Sequence, residues 1–278
     1  MTAAFTRTAI VDRLRAKIAT RRPVVMAGAG IGLVAKILDR AGIDVLMAYN
    51  TGPFRMDGHG SLAGYLAYGD ANAITMELAG RILPVVETTP VVGGIGAADP
   101  YRDVGRLIDR YLELGFAGIT NVPTAGIYDG TFRRQIDHTG LGYPKEVELI
   151  RLCRARDVFT VAYAFTPDEA CAMAEAGADV IGAHVGLTTG GTIGAGEALD
   201  LDTACTRTAD LASTARAARS DVIVVAHGGP FEDPLSVQTC FERTDVDGFL
   251  GASSIERLPV EAALTEAARG FLDLRLRG

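Results

Sequence analysis

Residues 222–258 read VIVVAHGGPFEDPLSVQTCFERTDVDGFLGASSIERL, and this stretch decides the fold. Two short apolar runs each end in a glycine-rich turn, His227-Gly228-Gly229-Pro230 and Gly251-Ala252-Ser253-Ser254, with a helical pattern after each. In a parallel barrel, the loops after the last two strands and a helix N-terminus present backbone N–H groups and a positive dipole end to phosphate or carboxylate. Glycine there lets the backbone itself approach the ligand. The two turns are therefore a candidate anion cup made by Gly228, Gly229, Gly251, Ala252, Ser253 and Ser254. The plainer alternative is that they only join strand to helix.

Working outward from this end, six further apolar runs precede the two: PVVMAG at 23–28, DVLMAY at 44–49, VVGGI at 91–95, AGITN at 117–121, FTVAY at 159–163 and DVIGAH at 179–184. Helical patterns separate them. Near-continuous apolar runs alternating with helices indicate parallel strands covered on their outer face. Right-handed crossovers then allow a closed barrel or an open doubly wound sheet. Eight units with an anion cup at the end favour a (β/α)8 TIM barrel, one domain spanning 1–278, with residues 1–22 as an extra N-terminal helical extension. Ile10, Leu14 and Ile18 recur every fourth residue in that extension, predicting a helix over about Thr8 to Thr20 that plugs or flanks a barrel end. Thr166-Pro167-Asp168-Glu169 forms a capping box closed by Gly177. Asp99-Pro100 predicts the start of a helix ending at Gly115.

Composition narrows the function. The 278 residues are 48% hydrophobic with a formal net charge of -7, so nothing marks a nucleic-acid or acidic-membrane partner, and a small-molecule substrate is the expectation. Cys153, Cys171, Cys205 and Cys240 show no metal-ligand spacing and read as reduced packing residues, which points to the cytoplasm. No apolar leader or uncharged apolar run long enough to span a bilayer is visible.

The loops after strands two (50–69), four (122–143) and six (185–200) are long, and all lie at the C-terminal face where barrel enzymes keep their active sites. The first holds five glycines and Arg55, and reads as a lid whose arginine clamps a carboxylate. His184 and His227 each end a strand in Ala-His-x-Gly, and neighbouring strands six and seven would set them at one mouth. An imidazole near neutral pKa there could activate water or protonate an enolate. Either histidine alone could equally be a neutral rim residue. His59 and His138 lie in long loops and read as exposed; Arg133 and Arg134 are lesser candidates than Arg55 for the carboxylate clamp, since adjacent arginines often mark a solvated surface. Lys17, Lys36 and Lys145 all fall in helical segments, which disfavours Schiff-base chemistry. Ser61 is the remaining nucleophile candidate, with a local hydrogen-bonding role the simpler reading.

The phrases GAGIGLVAKILDRAGIDVLMAYNTG (28–52), YNTGPFRMDGHGSLAGYLAYGDAN, AHVGLTTGG, AHGGP and GASSIERLP together resemble a known family. The first is similar to the opening strands of the phosphoenolpyruvate mutase and isocitrate lyase superfamily. The whole set resembles the TIM-barrel family called phosphoenolpyruvate hydrolase-like or phosphonopyruvate hydrolase-like, which also includes the C-terminal domain of a plant tobamovirus-resistance protein. The resemblance covers nearly the whole chain. It implies that Gly28, Asn50 and Gly52 help grip a 2-oxo acid and that like subunits associate.

Metal-dependent superfamily members carry acids after strands three and four that hold Mg²⁺. Here strand four ends Thr120-Asn121-Val122-Pro123 without an acid, and strand three offers only Asp99, which reads equally as a helix cap. Mg²⁺ is thus a possible cofactor that no carboxylate pair supports. Two functions remain open. One is an enzyme acting on a small 2-oxo acid or enol phosphate by hydrolysis or C–C/C–P cleavage through an enolate, with His227, His184, Arg55, Asp70 and Asn121 as catalytic candidates. The other is a ligand-binding or regulatory barrel without turnover.

Overall fold

A computed structural model describes residues 5–277 and contains eight parallel strands closed into a barrel in sequential order. They are β1 (Val24–Gly28), β2 (Val45–Ala48), β3 (Val91–Gly94), β4 (Gly118–Thr120), β5 (Phe159–Ala164), β6 (Val180–His184), β7 (Ile223–His227) and β8 (Gly248–Gly251). The expected (β/α)8 barrel is thus observed. All eight are buried along almost their whole length, because one face fills the barrel and the other lies under helices. Period-2 alternation sorts the side chains. Val24, Met26, Val45, Met47, Val92, Phe159, Val161, Val180, Val225 and Leu250 fill the interior. Leu46, Ile119, Ile181, Val224 and Phe249 face the helix layer.

Helix α1 (Arg7–Ala19) closes the bottom of the barrel. Residues 1–4 of the anticipated extension lie outside the described residues. Ile10, Val11 and Leu14 of α1 join the interior cluster. Its polar side then ties down the N-terminal ends of the strands: Arg7 pairs with Asp179 at 2.7 Å, Arg15 with Asp221 at 2.8 Å and Lys17 with Asp44 at 2.5 Å. Only the C-terminal end of the barrel remains for a ligand.

The outer helices are α2 (Gly32–Ala41), α4 (Ala71–Ile82), α5 (Val104–Leu114), α7 (Pro144–Ala155), α8 (Pro167–Ala176), α9 (Leu201–Ala218), α10 (Pro234–Arg243) and α11 (Arg257–Leu272). The capping box at Thr166 is half realised: its hydroxyl accepts from the Glu169 N–H, while the Glu169 carboxylate takes the N–H of Phe165. The helix expected from Asp99 begins later, at Val104 with Asp103 as its cap, and Asp99 instead closes a turn on the N–H groups of Tyr101 and Arg102. Two of the long top loops carry helices of their own, α3 (Thr51–Met56) and α6 (Gly130–His138). From Ala262 onward every residue of α11 is exposed, Leu264 at 65% and Phe271 at 77%, so its second half stands away from the barrel.

Candidate active site

Residues paired across a parallel ladder point the same way, so the inward columns can be followed to the open end. His184 stands opposite His227 in register, and both continue inward columns. Their rings lie 4.7 Å apart at 71°. Tyr163, the last inward residue of β5, sits 4.8 Å from the His227 ring and 5.7 Å from that of His184, while Phe165 stacks on His184 at 4.3 Å.

Hydrogen bonds assign the two rings opposite tautomers. His184 Nδ1 accepts the Gly186 N–H at 3.1 Å, which leaves the ring proton of the neutral form on Nε2. His227 Nδ1 lies 2.7 Å from the Leu250 carbonyl oxygen, which can only accept, so this ring carries its proton on Nδ1 and keeps a lone pair on Nε2. Burial, reinforced by the neighbouring His227, holds His184 well below the ordinary histidine pKa. Burial likewise pushes His227 down to about 4, against the opposing pull of the Leu250 carbonyl. The anticipated near-neutral pKa is corrected: both rings are neutral at pH 7, one a donor and the other an acceptor.

The pair opens on a cavity of about 150 Å³ that Tyr49, Arg55, Tyr163, Gly228, Ala252 and Ser253 also line. That volume takes a benzene-sized molecule, about six non-hydrogen atoms. The N–H groups of Gly228, Ala252 and Ser253 have no acceptor among the described residues and are available to a ligand. Gly229 is different, because its N–H donates to the Gly186 carbonyl at 2.8 Å. Gly251 and Ser254 are not part of the cavity wall. Gly228 must be glycine here: φ is +80° and a Cβ would lie 2.1 Å from the Gly186 oxygen. The hydroxyl of Tyr163 is buried without a hydrogen-bond partner among the described residues, as is that of Thr120. An orphaned buried hydroxyl on a cavity wall is a place for a polar ligand or water.

Arg55 reaches the cavity from α3 and is only 3% exposed, so it is no part of a mobile loop tip. Its Nε donates to Glu256 Oε2 at 2.9 Å and its Nη2 to the same oxygen, while Oε1 of Glu256 accepts the Gly30 N–H. One carboxylate thus ties together the loops after β1, β2 and β8. Burial works against the guanidinium charge, but the Glu256 carboxylate outweighs it and the pKa of Arg55 stays raised. Nη1 is left with the Ser61 hydroxyl at 3.3 Å. Gly28 makes this possible, since a Cβ there would stand 3.2 Å from Arg55 Nη2 and 3.1 Å from the Tyr49 hydroxyl.

Several anticipated site residues are placed elsewhere. Asn121 follows the outward column of β4 and faces the helix layer, where it donates to Glu146 at 2.6 Å and exchanges hydrogen bonds with the Tyr163 backbone. Asp70 caps α4 and pairs with Arg102. Asp99 also pairs with Arg102, at 2.6 Å, and accepts from Asn72 at 2.9 Å. Both aspartates border a different cleft. Asn50 donates to the Gly64 carbonyl at 2.6 Å and fixes its own loop. Gly52 packs on Gly30, where a Cβ would come within 2.7 Å of the Gly30 Cα. His59 and His138 are exposed, as expected, and three of the four free cysteines are buried.

The sequence reading missed Tyr49, Tyr163, Glu256 and Glu146. Counting back two residues at a time from the histidine layer would have found Tyr163. Nothing in the sequence marks Glu146, which burial raises to a pKa of about 8 against hydrogen bonds from Thr124, Ala125 and Asn121 that favour its charged form.

This geometry can be set beside known proteins. The family model described as phosphoenolpyruvate hydrolase-like matches residues 9–274. The chain belongs to the phosphoenolpyruvate hydrolase-like family. A relative, the ToMV resistance protein Tm-1(GCR237) of Solanum lycopersicum, is 44% identical over 271 residues, 97% of this chain but 36% of that protein. The chain therefore spans about a third of the length of this curated relative. Among solved structures, phosphoenolpyruvate phosphomutase from Streptomyces platensis subsp. rosaceus superposes with a TM-score of 0.59 at 16% identity, covering 94% of this chain and 85% of that one. A phosphonopyruvate hydrolase in complex with oxalate and Mg²⁺ gives a TM-score of 0.57 at 19% identity, covering 95% and 87%. The family member described here shares the barrel fold of these enzymes.

The residues present do not fit a Mg²⁺ site of the expected kind. Asp99 is committed to Arg102, Asn72 and two backbone N–H groups, Asn121 stands where β4 would need an acid, and Glu146 lies behind it, taken up by Asn121 and the Ala125 N–H. Among the described residues no group of three or more His, Cys, Asp or Glu side chains is placed to hold a metal ion. Nor is any described helix long and apolar enough to cross a membrane.

Proposed function

We propose that the barrel mouth is the active site of an enzyme that cleaves the C3–C4 or C3–P bond of a small 2-oxo acid. The bonding electrons pass into the C2 carbonyl as an enolate that is then protonated at C3, while the leaving group is captured by water as an acyl or phosphoryl group or departs as an aldehyde or ketone where C4 carries a hydroxyl. The observation that carries this reading is the pair of neutral histidines with opposite tautomers on one small cavity. A neutral Nε2 lone pair on His227 can accept a proton from water or a substrate hydroxyl, and the Nε2–H of His184 can donate a hydrogen bond to oxygen that becomes negative. The substrate carboxylate would lie against the N–H groups of Gly228, Ala252 and Ser253, with its carbonyl toward Arg55 Nη1 and the Tyr163 hydroxyl. A cavity of about 150 Å³ suits the 2-oxo acid head. The mutase and the hydrolase among the structural neighbours support an enzyme in general.

A binder without turnover is favoured by one observation, the commitment of Asp99 and Asn121 to structural contacts. Incubation with phosphonopyruvate and a panel of 2-oxo acids, with and without Mg²⁺, separates the two: product formation supports the enzyme, and saturable binding without product supports the binder. We also propose that like subunits associate through α11, whose exposed Leu264, Phe271 and Leu272 would be covered by a second copy. Sedimentation of the wild type against Phe271→Asp tests this, with a shift to monomer expected.

A further inference from the structure

A second cleft, of about 670 Å³, opens beside the histidine cavity between the loops after β2, β3 and β4. Tyr65 and Thr124 line both spaces and form the partition. The cleft's outer wall is α6, none of whose residues is buried, although Phe132 and Ile136 recur four apart on its cleft side. Phe132 remains 62% exposed and Leu141 46%. Tyr65, Tyr128 and Phe132 form an edge-to-face ladder, with centroids 6.2 and 5.1 Å apart, running outward from the partition. An apolar helix face left open over a deep cleft is a surface shaped for a ligand.

The charges say which ligand it would take. Arg102, the cation of this cleft, is neutralised by both Asp70 and Asp99. Glu146 at its floor is close-bonded to Asn121 and the Ala125 N–H. Phosphates and carboxylates therefore find no free positive partner here, whereas an uncharged aryl or branched alkyl group finds Pro123, Tyr128, Phe132 and Ile136. The inner cavity of about 150 Å³ matches a 2-oxo acid head, and the cleft that shares its Tyr65 and Thr124 wall lies beside it.

We infer that the substrate is a 2-oxo acid whose C4 bears a carbonyl or hydroxyl oxygen and an uncharged aryl or bulky alkyl tail, with the head at the histidine pair and the tail past Tyr65 and Thr124 in the second cleft. This rests on the 2-oxo acid reading above for the head, but the tail site stands on its own geometry.

Titration calorimetry with 2-oxobutanoate and 2-oxo-4-phenylbutanoate tests the whole, and the neutral fluorophore N-phenyl-1-naphthylamine tests the cleft alone. Burying the phenyl ring should tighten binding about 30-fold. Phe132→Asp, a change at an exposed helix position, should bring the two affinities toward each other and abolish fluorophore enhancement. Equal affinities of the two acids for the wild type, or an aryl preference untouched by Phe132→Asp, would overturn the inference. If neither acid binds while the fluorophore does so in a Phe132-dependent way, the head reading fails and the apolar cleft stands. If the fluorophore does not bind either, both fail.

Discussion

Acid should destabilise this protein through His227, by an amount the structure sets. Its folded pKa is depressed from 6.5 to about 4 by burial, so between those values the unfolded chain binds a proton that the folded chain refuses. Stability that is fully present above pH 6.5 is therefore lost as pH falls toward 4. At ~1.4 kcal/mol per pH unit the full loss from this ring is about 3 kcal/mol, of which about 2 kcal/mol is gone by pH 5. Glu146 acts in the opposite sense, because its folded pKa is raised to about 8: its contribution is complete below pH 4.5 and lost as pH rises through 8. Comparing the wild type with His227→Asn cancels Glu146 and the other groups that do not interact with His227, and His184 stays held down by its own burial. Urea unfolding of both at pH 7.5 and pH 5 should show the wild type losing about 2 kcal/mol more than the variant over this interval. Identical losses would refute the buried, neutral His227 on which the tautomer assignment depends.

The same pKa shapes catalysis: a base that stays unprotonated down to about 4 predicts a kcat/KM that is level from pH 7 to 5 and falls only below that, whereas a break near 6.5 in the pH profile would speak against it. Glu256→Gln removes the charge that holds Arg55 in the barrel, so stability should fall by about 3 kcal/mol or more and KM should rise, read by urea unfolding and steady-state kinetics. Asn121→Ala leaves Oε2 of the buried Glu146 without its donor, although the Ala125 N–H still holds Oε1, and should cost about 1–3 kcal/mol in the same unfolding assay, with KM unchanged because the side chain faces away from the cavity.

Much of the fold is written in local pattern. The eight apolar runs correspond to the eight strands, and the Ala-His-x-Gly phrases locate two inward residues at the same height because parallel pairing preserves the direction of side chains. The strand-end placement that identified His184 and His227 misplaced Asn121, since a strand end says nothing of which column the residue belongs to until the register is known. Asp99 and Asp70 were ambiguous between cap and site for a different reason: their partner Arg102 lies 3 and 32 residues away, and the longer pairing forms only when two loops meet in the folded barrel. Glu256 sits within a quoted motif, yet its work is to join Gly30 and Arg55, more than 200 residues away in sequence. The lowered histidine pKa values likewise belong to burial, which no spacing displays.

The account stands most directly on turnover by the histidine pair. The measurement is an NMR time course of purified wild type, His227→Asn and His184→Asn with phosphonopyruvate and a panel of 2-oxo acids, in buffers with and without Mg²⁺. The account predicts bond cleavage by the wild type on at least one 2-oxo acid, a rate lower by about 10²- to 10⁴-fold in His227→Asn, and a fall of similar or smaller size in His184→Asn, with all three proteins folded by melting temperature at pH 7.5. Cleavage at wild-type rates by both variants, or binding of the acids with no product from any of the three, would contradict it.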